Sequence, residues 1–189
     1  MKILPLFAGL ALALLIAGPV AAKTRNVTDP DAPRSLPAEG PVSVSWSDPA
    51  QFTEIRYSHN RWESQRGNWV VRLAEYLRKS TEKALPAGQR VEFNITNIKL
   101  AGDYEPWRGP NTHDVRIVRD IYPPRMTFTF TRYGADGQII EQGERKLADM
   151  GFLTAGGSSL NSDPLRYEKR MVDDWIRREL KSDRGLSAR

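Results

Sequence analysis

The sequence predicts an α/β (α+β) domain: a single mixed sheet of four to five strands with two long helices packed on one face. Three observations carry this. Apolar residues alternate strictly at 42–46, 91–95 and 126–130, the period of half-buried strands. Two later-charged stretches carry apolar stripes at helical spacing, which need a common apolar surface to cover them. An Asp136-Gly137 pair separates two strand patterns, as in a tight hairpin.

In chain order, Val42, Val44 and Trp46 share one face of a first strand, which Asp48-Pro49 ends. A polar turn holding Phe52, Tyr57 and His59 follows. The period then becomes helical: Trp62, Trp69, Leu73 and Leu77 form a stripe widened by Val70, Ala74 and Ala84. Asn60 with Glu63 three residues on reads as the cap, and Leu85-Pro86-Ala87-Gly88 as the stop. The next strand has Val91, Phe93 and Ile95 on one face before the phase slips to Ile98 and Leu100. Such a slip predicts a bulge near Thr96 or Asn97.

Met126, Phe128 and Phe130 alternate with threonines in the first hairpin strand, and residues 138–150 form its partner, weakened by Gly143. Residues 154–162 read as a flexible connector. Asp163-Pro164 then caps a helix over 164–181 with Leu165, Val172, Ile176 and Leu180 inside and Met171 and Trp175 flanking. The first strand, helix and second strand make a crossover unit with parallel pairing, and the hairpin adds antiparallel strands.

The ends set the expected compartment. Lys2, the apolar run 3–20 and the small residues before Ala22 have the layout of a cleavable secretory signal peptide, cut after Ala22. The expected organisation is therefore signal peptide 1–22, proline-rich flexible linker 23–41, one domain 42–181 and a disordered tail 182–189. Periplasmic localisation follows, with no transmembrane segment after cleavage. The absence of cysteine removes disulfides, thiolate metal sites and cysteine nucleophiles. A net charge of +5 and a pI near 9.6 suit an anionic counterpart. For an exported chain that means an envelope protein or an anionic glycan or lipid headgroup, not nucleic acid.

Between the second strand and the hairpin lies LAGDYEPWRGPNTHDVRIVRDIYPPR, residues 100–125, far richer than an ordinary connection. Arg108, Arg116, Arg119 and Arg125 stand against Asp103, Glu105, Asp114 and Asp120, so the charges cancel. Alternation across 114–122 allows a short strand with Val115, Ile117, Arg119 and Ile121 on one face. Arg119 there needs a carboxylate partner. Tyr122-Pro123-Pro124 must be extended.

Two readings of this stretch stay open. In one, Arg–carboxylate pairs hold a long connection against the sheet. In the other it is a recognition surface: Tyr104 and Trp107 offer flat apolar area, Arg108 or Arg116 grips an anionic group, and His113 lies beside them. His113-Asp114 is no ready-made relay, because neighbours in an extended chain point apart. No zinc helix motif, nucleophile elbow or phosphate loop is present, and no cofactor is expected.

LAGDYEPW, DVRIVRDIYPPR, the ADG hairpin, DMGF and LRYEKRMVDDWIRREL together resemble the bacterial domain-of-unknown-function family numbered 3016, over residues 42–180 in order. The resemblance implies exported proteins of Gram-negative bacteria and no catalytic residues. The expected function is a non-catalytic binding or accessory domain of the cell envelope. Alternatives are a periplasmic hydrolase using His113 with a carboxylate supplied by the fold, and a structural component of an envelope assembly.

Overall fold

The computed structural model describes residues 26–154 and 162–180. The expected signal peptide, most of the flexible connector and the tail lie outside the described residues. The elements are strand β1 (Val42–Trp46), short helices α1 (Thr53–Arg56) and α2 (Arg61–Gln65), helix α3 (Trp69–Ala84), and strands β2 (Arg90–Lys99), β3 (Asp103–Tyr104), β4 (Arg116–Ile117), β5 (Arg125–Tyr133) and β6 (Ile139–Ala148). Helix α4 (Arg166–Glu179) closes the order.

The main sheet runs β1-β2-β5-β6, with β1 parallel to β2 and the other pairs antiparallel. This is the mixed sheet expected. Its register shift falls between Ile95 and Asn97, where the slip in apolar phase placed a bulge. The side chain of Asn97 occupies the irregularity, accepting from Thr53 N–H at 2.7 Å and donating to Thr53 Oγ1 at 2.8 Å. The bulge thus ties β2 to α1.

One face of the sheet supplies Val44, Trp46, Phe93, Ile95, Phe128 and Phe130, all buried. From α3, Leu73 and Leu77 join the same cluster; from α4, Val172, Trp175 and Ile176 do. Trp175 sits 4.9 Å from Phe128 and 5.8 Å from Phe93, edge to face in both cases. That geometry sets positive ring edges against negative faces.

Two helix boundaries differ from expectation. The helical stripe begins at Trp69 instead of continuing from Asn60, because Gly67 takes φ +87° and breaks the chain into α2 and α3. Asn60 does cap as expected, accepting from Glu63 N–H at 3.1 Å, but it caps only α2. Trp62, freed from the stripe, is 66 % exposed. At the other helix, Asp163 accepts from Leu165 N–H at 2.9 Å and regular α-structure starts only at Arg166.

Residues 26–41, read as linker from their prolines, run beside the domain where they are described. Val27 is buried, and the backbone of 34–36 bonds to β1 through Leu36 N–H to Val44 O (3.0 Å) and Trp46 N–H to Arg34 O (2.8 Å). The outer edge of β1 is therefore covered.

Candidate functional site

Residues 100–125 fold as a small appendage of their own. Asp103–Tyr104 and Arg116–Ile117 pair antiparallel, and two 3-10 turns, Pro106–Arg108 and Pro110–Thr112, occupy the loop between. A two-residue ladder cannot stand alone in water. The appendage is held by buried charge.

Glu54, on the short helix α1, is fully buried. Its carboxylate accepts from Lys99 Nζ (3.1 Å), from Leu100 N–H (3.0 Å) and from Arg116 Nη2. Arg116 also donates to the Gly102 carbonyl at 3.0 Å and lies over the Tyr104 ring, 4.8 Å from its centroid. On the far side, Glu168 of α4 is buried and accepts from Ala101 N–H at 2.6 Å. Burial pushes its carboxyl above the ordinary value, outweighing that hydrogen bond. The turn between β2 and β3 is thus clasped by two acidic side chains.

A third buried carboxylate organises the loop. Glu105 accepts from Arg119 Nη1 and Tyr122 OH, each at 2.9 Å, and from Arg108 Nε. Desolvation pushes its carboxyl up, but these three donors overcome it and hold it below the ordinary value. Arg119 finds the carboxylate its sequence position called for. It lies partly in solvent, however, and Val115 and Ile121, expected beside it on an inner face, are 52 % and 58 % exposed. The strand is only two residues long, so the alternation does not extend to them.

The segment 57–62 packs against this loop. Asn60 Nδ2 donates to the His113 carbonyl (2.9 Å) and to Asp114 Oδ1 (3.1 Å). His59 Nδ1 lies 3.5 Å from Asp103 Oδ2, and its ring meets Trp107 edge-on, centroids 4.9 Å apart. Trp107 itself is 61 % exposed, and Tyr57 and Trp62 on the facing segment are similarly open.

The five residues proposed from sequence separate into two groups. Tyr104 and Arg116 are drawn inward, one buried and the other bound to Glu54. Trp107, Arg108 and His113 remain at the surface, with Arg108 half-exposed and tethered to Glu105. His113 is exposed, and among the described residues no carboxylate is paired with its ring. The histidine that does meet a carboxylate is His59, from the polar turn after the first strand. Its proximity to Asp103 depends on a tertiary contact that no local pattern signals. Among the described residues, no three His, Asp or Glu side chains are gathered to hold a metal ion. No described helix is long and apolar enough to cross a membrane.

The fold and this surface define an α+β domain that carries a charge-clasped appendage with aromatic side chains facing outward. The chain belongs to the family DUF3016, described as a protein of unknown function, whose profile matches residues 40–178. It is also similar to "Uncharacterized protein T27F2.1" of Caenorhabditis elegans, 39% identical over 64 residues, or 33% of this chain. The chain spans only 11% of that relative's length. No solved structure matches.

Proposed function

We propose that this chain is an exported, non-catalytic binding domain of the cell envelope, with Trp107 at the centre of its contact surface. One observation carries the reading: a largely exposed Trp107 is fixed two residues from a fully buried Glu105 that is bound by three donors. Burying a carboxylate is costly unless it is fully satisfied, and here its satisfaction fixes the backbone that presents an aromatic ring to solvent. Rigid, preplaced aromatic side chains are favoured at protein contact centres because little entropy is lost on binding. His59, Tyr57 and Trp62 extend the surface, with Arg108 at its margin. Export rests on the leader-like pattern of residues 1–22.

Crosslinking in intact cells tests this, with Trp107→Ala as the control. The reading requires a defined partner whose capture falls in the variant while the fold is kept. Equal capture by both proteins would remove Trp107 from the contact.

A further inference from the structure

The two edges of the main sheet are treated differently. Residues 34–36 hydrogen-bond along β1, whereas β6 ends the strand order and no described segment pairs with its outer side. An uncovered edge of ten residues presents unpaired amide and carbonyl groups, which proteins ordinarily protect. Charges on β6 look like such protection, but their spacing is self-complementary.

We propose that β6 pairs with β6 of a second copy of this chain, antiparallel, about a two-fold axis through Gly143. Directly opposed residues in an antiparallel pair share a face, so a continuous sheet requires the axis to pass through a residue. An axis at Glu144, Arg145 or Lys146 sets like charge against like, and one at Gln142 opposes no charges. At Gly143, Glu141 of each copy faces Arg145 of the other and Gln142 faces Glu144. Within one chain Arg145 Nη2 already bonds Glu141 Oε1 at 2.7 Å and Glu179 Oε2 at 3.0 Å. Pairing brings two such Glu–Arg sets together with alternating sign.

Gly143, at φ +154°, places no side chain at the axis. The register shift opposite Arg132 and Tyr133 leaves Ile140 as an extra residue, so the regular ladder is confined to 141–145. Beyond it, the half-exposed Ile140 meets the aliphatic stem of Lys146 from the other copy. So short a ladder makes a small interface, and the dimer forms in a concentration-dependent manner.

Sedimentation equilibrium of the purified protein over a concentration series tests the pairing. Gln142 and Glu144 are both exposed, so substitutions there leave the core alone. Gln142→Glu opposes like charges twice and weakens the dimer by about 2- to 30-fold; Gln142→Lys tightens it by a similar factor. The register has an independent readout, because the chain has no cysteine of its own. Mixing chains carrying Gln142→Cys with chains carrying Glu144→Cys gives disulfide-linked dimers faster than either alone. A wild-type protein that stays monomeric throughout, or a dimer indifferent to both charge variants and to cysteine placement, overturns the proposal.

Discussion

Glu105 and Trp107 lie two residues apart on one short turn, the first with no exposed surface and the second 61 % exposed. The carboxylate collects Arg108, Arg119 and Tyr122; the indole makes a T-shaped contact with His59. A buried charge beneath the loop and an aromatic above it are two ends of one arrangement.

The Glu54–Arg116 pair carries the attachment of this loop to the domain across 62 residues of sequence. Arg116→Ala leaves Glu54 buried with only Lys99 Nζ and the Leu100 N–H of its three donors. Removing one partner of a buried pair is strongly destabilising, and since Arg116 retains 22% side-chain exposure the expected loss is roughly 2–4 kcal/mol. Urea unfolding measures it. The Arg116→Ala and Glu54→Gln double variant should lose less than the sum of the two singles.

Gly102 is required by both conformation and space. It has φ +80°, and a Cβ there would stand 2.8 Å from the Ile117 carbonyl oxygen, the backbone of the facing strand. Gly102→Ala should cost about 1–3 kcal/mol. It should loosen 103–117 first, visible as faster amide exchange there than in β2 or β5.

Of the three glutamates buried among the described residues, Glu105 and Glu168 give opposite pH dependences. Glu105 is held below its ordinary value of 4.5, so its contribution is complete above that pH and is lost as pH falls through the lower native value. Glu168 is pushed above 4.5; its ionisation opposes folding, and stability falls as pH rises from 4.5 through the native value. Urea midpoints from acid to neutral pH should therefore show Glu105→Gln removing part of the acid-side loss. Glu168→Gln should remove part of the decline toward neutrality.

Trp175 joins three phenylalanines of the sheet to α4. Trp175→Ala should cost about 3–5 kcal/mol, lowering the thermal midpoint without a selective effect on the 100–125 segment.

The sheet was legible because each strand is buried on one face: Val42, Val44 and Trp46, or Met126, Phe128 and Phe130, declare their period directly. Even the bulge at Thr96 appeared as a slip in phase. The break at Gly67 was not legible, since Trp62 happens to keep the helical spacing of a stripe it does not join. In the appendage, composition marked residues 100–125 as more than an ordinary connection, and Arg119's need for a carboxylate was readable from its neighbours. Its partner was not, nor were Glu54 and Glu168, which arrive from elements far away in sequence. That distance is why Tyr104 and Arg116 read as surface residues although burial and Glu54 draw them inward.

Trp107→Ala, assayed for in-cell partner capture and thermal unfolding on the same protein, tests the binding role most directly. Unfolding should change by no more than about 0.5 kcal/mol, as for an exposed side chain, while capture of the specific partner is lost. A variant that unfolds, or one that captures as well as wild type, would contradict Trp107 as a contact residue and leave the loop with a structural role alone.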